Sequence, residues 1–225
     1  IIICAASLIG LSAALTTLLS GSGSSYQLNL LIPFGPHTIR LDPVSALFAL
    51  PILIVAACSS LYSSGYFPAS KHPRTTRKIT LFFGLLVGSL LGILLAGSSG
   101  LFLFCWELMA VSAYFVVTTD DDHEAVRSAG TLYLICTHIG TLVLFALFSL
   151  LATTWGDFSL PPAGALKGST PTATALVLTA LFGFSFKAGT LPLHVWLPGA
   201  HANAPSHISA LMSGVILKIG VYGLV

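Results

Sequence analysis

Three full charges, Glu107, Lys187 and Lys218, fall inside apolar stretches long enough to cross a membrane. A charge at the centre of a bilayer costs at least about 2.5–3.5 kcal/mol on insertion scales, so it is seldom kept without a role. Two amines and one carboxylate suggest a buried ion pair and a second titratable amine. Burial disfavours the charged form of lysine, and a neighbouring carboxylate restores it. Moving a carboxylate toward or away from a buried lysine would therefore load or unload a proton. Proton transfer is the chemistry these residue types allow; a static clamp between helices is the plainer alternative for Glu107 and Lys187. Lys218 lies 12 residues past Ser206, roughly 18 Å along its helix and too deep to snorkel easily. Lys187 lies about 22 Å into its span, whereas Glu107 is only about 9 Å from Leu101, so depth alone does not pair them.

Histidines surround this group. His138 is mid-span, where a neutral imidazole either passes protons through water or hydrogen-bonds a neighbouring helix. His194, His201 and His207 are expected in loop or capping roles, and Asp42, before Pro43, as a helix N-cap. Pro192 removes a backbone N–H and clashes with the carbonyl of Ala188, so the helix carrying Lys187 must kink or break, leaving carbonyls unpaired near that lysine. With Gly189 close by, 187–192 reads as unwound backbone at membrane depth, which survives only inside protein or beside a hydrated cavity. Such discontinuous helices commonly mark ion sites in transporters. The four cysteines, Cys4, Cys58, Cys105 and Cys136, lie in apolar runs without CxxC spacing. No ligand-spaced Cys/His cluster or glycine-rich nucleotide loop is present, and no metal or cofactor is expected.

The elements that must position these residues are membrane helices. Only 7% of the 225 residues are charged and 55% are hydrophobic, with a mean hydropathy of +0.95. Such a composition excludes a soluble domain, and a net charge of +2 gives no basis for nucleic-acid binding. Apolar runs predict an all-α, polytopic helix bundle with about seven spans: 1–20, 42–66, 79–97, 101–119, 127–153, 172–196 (broken at Pro192) and 206–225. The loops then alternate sides. One side carries Lys71, Arg74, Arg77, Lys78 and Arg127; the other carries Arg40 and Lys167. The positive-inside bias places the richer side, with the acidic run Asp120–Glu124, toward the cytoplasm.

These residues resemble a known family. Phe186-Lys187-Ala188-Gly189-Thr190-Leu191-Pro192-Leu193-His194-Val195-Trp196-Leu197-Pro198, followed by Ala200-His201-Ala202-Asn203-Ala204-Pro205-Ser206, is similar to the broken helix of antiporter-like proton-translocating subunits. Those occur in respiratory complex I, multisubunit Na⁺/H⁺ antiporters and membrane-bound hydrogenases. Ser209–Gly223 resembles the helix that follows, Phe104-Cys105-Trp106-Glu107-Leu108-Met109 an earlier one, and Asp42-Pro43-Val44-Ser45 another helix start. Pro-Leu-His-Val-Trp-Leu-Pro and Ala-Leu-Met-Ser-Gly resemble the large membrane subunit of formate hydrogenlyase and hydrogenase-4 complexes.

The resemblance implies roles. Glu107 and Lys187 would form a pair whose opening and closing tunes the lysine, Lys218 would relay the proton onward, and His138 would assist. The chain would be one membrane domain, residues 1–225, belonging to a longer subunit, with the first of two inverted repeats at about 79–225. Its partners would be other membrane and redox subunits, its cargo protons or Na⁺, and its location a prokaryotic inner membrane. It would be the non-catalytic channel part of an oxidoreductase complex. The alternatives are a Na⁺/H⁺ antiporter subunit without a redox partner and a structural membrane scaffold.

Overall fold

The computed structural model describes residues 2–28, 37–68, 70, 73–161 and 170–225. Among these residues, eight helices run in chain order: α1 (Ile2–Ser20), α2 (Pro43–Tyr66), α3 (Pro73–Leu95), α4 (Ser99–Val117), α5 (Glu124–Trp155), α6 (Thr170–Ala188), α7 (Leu197–Asn203) and α8 (Ser206–Tyr222). A π-helical turn, Met212–Ile216, interrupts α8. The first six helices are long and apolar enough to cross a membrane, and α8 is a shorter apolar seventh. The polytopic bundle is thus the one its apolar runs predict.

Local chemistry explains the boundaries. Asp42 caps α2 as expected, its carboxylate accepting from the Ser45 N–H at 2.8 Å, and Pro43 occupies the first turn. Helix α3 starts at Pro73, six residues before the expected apolar span, because its basic first turns continue the helix beyond the apolar stretch. Helix α5 runs 32 residues, about 48 Å, against a hydrocarbon core of about 30 Å. Gly156, in the left-handed region at φ 101°, ends it. Ser206 opens α8, but no side chain caps that start; the residue before it is Pro205.

The connections gather at two ends. At one, β1 (Ser24–Leu28) and β2 (His37–Leu41) pair antiparallel, a small sheet that the loop-like composition of 21–41 does not announce. The Gly97 N–H donates to Thr38 O and the Leu160 N–H to Gly97 O, tying three connections together. The other end is basic. There Lys78 donates to Thr118 O at 3.1 Å and to Asp121 at 2.8 Å, and Arg127 donates to the Asp121 and Asp122 carbonyls. The Lys78 hydrogen bond holds the Asp121 carboxyl below the usual carboxylate range, so this exposed tie persists until the pH falls beneath that range. Among the described residues, Arg74, Arg77, Lys78 and Arg127 lie at this end and Arg40 at the other; Lys71 and Lys167 lie outside the described residues.

Helix α4 is the most enclosed, and it is apolar nearly all round, as a buried helix must be. Phe102, Trp106, Phe148 and Phe184 interlock α4 with α5 and α6 at centroid distances of 5.3–6.0 Å. Elsewhere small residues let backbones approach, the usual means of helix association in lipid. Among the described residues the tightest approach of a glycine to another segment's backbone is at Gly220 of α8, where an added Cβ would collide with the backbone nitrogen of Ala188, next to Lys187. Overpacking costs roughly 1–3 kcal/mol. Gly220→Ala is therefore expected to lower the melting temperature and membrane level of the full-length subunit, while Gly84→Ala, with nothing within 4 Å, leaves both near normal. Equal behaviour of the two variants would contradict the close α6–α8 approach.

Candidate functional site

The site is built on the end of α6. The helix stops at Ala188, and 189–196 continues as turns before α7 begins. Gly189 adopts φ 67°, a conformation that suits glycine, and the Leu191–Pro192 peptide is cis. The break thus falls within the stretch that Pro192 forbids to a continuous ladder. Carbonyls freed by such a break are expensive in lipid. Here Ser185 O accepts from both Gly189 and Thr190, and Phe186 O accepts the indole N–H of Trp196 at 2.8 Å. The expectation of unpaired carbonyls beside Lys187 is thereby corrected at these two positions: a buried tryptophan ten residues onward takes the place of the missing turn.

Lys187 is enclosed at 2% exposure. Its Nζ donates to the hydroxyl of Tyr133 on α5 at 2.8 Å. Tyr133 is itself fully buried and meets Trp196 edge-on at 5.2 Å, so one aromatic pair holds both the lysine and the helix break. The expected Glu107–Lys187 ion pair is not formed. Glu107 makes neither a hydrogen bond nor an ion pair with Lys187. Its contact is with His138 of α5, Oε2 to Nε2 at 3.4 Å, while its other oxygen, Oε1, is buried without a hydrogen-bond partner among the described residues.

This second pair is chemically informative. The Nδ1 of His138 lies 2.8 Å from Leu134 O. A carbonyl can only accept, so Nδ1 carries a proton, and Nε2 turns toward the carboxylate. Without a further proton two lone pairs would face each other. One proton shared by the pair, on Nε2 or on Glu107, removes that conflict.

Lys218 is not brought to this cluster. It is exposed on α8, and its Nζ donates to Ser213 O within the π-helical turn. His201 lies 2.7 Å from the Ser209 hydroxyl, linking α7 to α8, and His194 carries a buried Nδ1 without a partner among the described residues. His207 is buried rather than loop-exposed or capping. Sequence reasoning missed Tyr133 and Trp196. Both carry a polar handle on an apolar ring, and a mid-span tyrosine on the same helix as His138 was the available signal. No cluster of three metal-ligating side chains occurs among the described residues.

The order of elements around a broken helix can be matched to known proteins. Residues 96–225, more than half of the chain, match the family model described as NADH:quinone oxidoreductase/Mrp antiporter, TM. The chain belongs to this family. It is 35% identical over 191 residues to hydrogenase-4 component B of Escherichia coli (strain K12), an alignment covering 85% of this chain and 28% of the relative. It is 27% identical over 214 residues to formate hydrogenlyase subunit 3 of the same strain, covering 95% and 33%. The solved Mrp complex from Dietzia sp. DQ12-45-1b shares the fold, with a TM-score of 0.80 at 22% identity over 99% of this chain and 42% of that one. The chain thus spans about a third of the length of these two curated relatives. It is an antiporter-like integral membrane subunit, and its relatives are subunits of multisubunit membrane complexes.

In this family member the lysine–tyrosine contact can be tested apart from any transport. Removing one partner of a buried hydrogen bond costs roughly 1–3 kcal/mol, whereas removing both can be nearly neutral. Tyr133→Phe is expected to lower the melting temperature of the full-length subunit, and adding Lys187→Met to recover most of the loss. A double variant whose loss equals the sum of the single losses would exclude a specific interaction.

Proposed function

We propose that the chain forms one half of a proton path in a membrane complex that couples ion movement to redox chemistry on partner subunits. Glu107 and His138 hold one proton between them, and Lys187 is the amine that takes up and releases a proton in response to their charge. Lys218, exposed on this chain and deep in its helix, passes the proton beyond it. The observation that carries this reading is the buried Lys187 at a helix break, with one hydroxyl for three potential N–H donors and no carboxylate in contact among the described residues. A static clamp would place an acid against the amine. Protons rather than Na⁺ are the proposed cargo. A Na⁺ site would require several oxygen ligands together, whereas Asp42 is engaged as the cap of α2 and Glu107 meets an imidazole.

The test is Lys187→Arg in the full-length subunit within its complex. Arginine keeps a permanent positive charge but does not release its proton, having a pKa above about 12. Membrane levels of the complex are expected to stay near normal while proton pumping in proteoliposomes is nearly abolished. Replacing Na⁺ with K⁺ is expected to leave pumping by the unaltered complex unchanged. Near-normal pumping by the arginine variant would exclude release of a proton from Lys187 as an obligatory step.

A further inference from the structure

At the basic end, the starts of α1 and α3 and the end of α2 leave an open groove of about 350 Å³. Ile3, Ile79 and Phe83 give it an apolar lining, and Ser60, Ser63 and Thr80 add hydroxyls. Elsewhere in the bundle helical hydroxyls turn back onto their own helix, as Thr137 does to Tyr133 O at 3.0 Å and Thr179 to Ala175 O at 2.7 Å. Ser60, Ser63 and Thr80 make no such bond and have no other partner among the described residues. A hydroxyl among apolar groups gains from a ligand that brings an acceptor. Helix α3 supplies charge at the same end. Arg74 and Arg77 are exposed and form no ion pair among the described residues. Arg77 stands three residues before Thr80, a neighbouring position on the helix surface. The acidic run is drawn elsewhere: Asp121 pairs with Lys78, the next residue and about a quarter of a turn round the helix.

We propose that this groove binds an anionic phospholipid. One acyl chain lies along Ile79 and Phe83, and the phosphate meets the guanidiniums of Arg77 and Arg74, whose forked donors match phosphate oxygens. Ser63 and Thr80 donate to the phosphate or to the ester oxygens beside it. The order of residues along α3 fits the depth of such a lipid. The apolar stretch begins at Ile79, so both arginines lie at headgroup level, and Phe83 lies about 6 Å deeper than Ile79. A groove open to the bilayer along its side admits an acyl chain, and basic pockets between membrane helices suit anionic headgroups. A zwitterionic lipid brings its own cation to the two arginines and is disfavoured. The site is separate from Lys187 and from the Glu107–His138 pair, and it stands whether or not the chain conducts protons.

The experiment uses the full-length subunit in its intact complex. The photocrosslinker benzoylphenylalanine is introduced at Ser64, an exposed residue that also lines the groove. The complex is reconstituted in vesicles of phosphatidylglycerol and phosphatidylcholine in equal parts, illuminated, and the captured adduct identified by mass spectrometry. Phosphatidylglycerol is expected to be captured roughly tenfold or more in excess. Arg74→Gln and Arg77→Gln are each expected to lower that excess by about fivefold, the effect of one basic residue beside anionic lipid. Equal capture of the two lipids by the unaltered groove overturns the proposal, as does an excess that survives loss of both arginines. Capture of a peptide in place of lipid shows the groove filled by protein and overturns it as well.

A second arm separates the groove from a general gathering of anionic lipid around basic helix ends, which depends on the arginines alone. Ser63→Ala combined with Thr80→Val leaves every charge in place. This variant is expected to lower the phosphatidylglycerol excess roughly threefold or more, the effect of lost hydrogen bonds, and an unchanged excess overturns the groove as the site. If the crosslinker at Ser64 prevents assembly, the complex without it is stripped of lipid in detergent and titrated with each lipid while its melting temperature is followed. Phosphatidylglycerol is expected to raise that temperature further than phosphatidylcholine, and to lose the advantage when Arg74 and Arg77 are both replaced by glutamine. Equal shifts by the two lipids overturn the proposal.

Discussion

A backbone carbonyl left without a partner in hydrocarbon costs several kcal/mol, and the site depends on how the carbonyl of Phe186 avoids that state. Ending α6 at Ala188 removes the next turn of donors. Trp196 supplies one from its side chain, and only because 189–196 folds back far enough to bring the indole to the helix end. The same indole packs on Tyr133, which receives the amine of Lys187. Helix break, backbone repair and lysine placement are therefore one arrangement. A change that loosened Trp196 would free a carbonyl and displace the tyrosine together.

The rest of the bundle brings this arrangement into register. With little hydrophobic drive between helices in lipid, close approach decides the packing. Gly140 on α5 faces Phe186, and Gly183 on α6 faces Leu144, so α5 presents Tyr133 to the end of α6. Gly220 admits Ala188 from the other side. Helix α4, enclosed by its neighbours, carries Glu107 to the face of α5 that bears His138. Three glycines and a buried helix thus determine which charged groups meet, although none of those glycines is charged.

The spans were legible because membrane thickness converts directly into run length, and Asp42-Pro43 and Pro192 act through the backbone within a few residues of themselves. The partner of Glu107 was not legible. Counting residues along α4 gives a depth, but says nothing of which neighbour faces the carboxylate, and that is decided by packing across α4, α5 and α6. Tyr133 and Trp196 were hidden for the same reason: an aromatic residue in an apolar run looks like packing until its polar atom finds a partner far away in sequence. The strand pair rests on partners across a connection, in a segment whose Gly/Ser content reads as loop. His207 escaped because a histidine one residue into a helix suggests an exposed start, whereas the end of α2 folds over it.

An unpaired Glu107 and Lys187 alter the kind of coupling the site can support. In a direct ion pair, tuning the lysine requires a side chain to swing away, breaking the contact. Here the carboxylate belongs to a pair with His138, and that pair is neutral while it holds its proton, whether as imidazolium with carboxylate or as imidazole with carboxylic acid. Losing the proton leaves one negative charge. A unit charge appearing on that partly exposed pair changes the energy of the buried Lys187 ammonium without touching it. Under the proposed path, a proton leaving the Glu107–His138 pair and a proton arriving at Lys187 therefore favour each other across a fixed structure. The geometry allows such an exchange to proceed while Tyr133 and Trp196 keep the helix break closed, since neither has to release its partner.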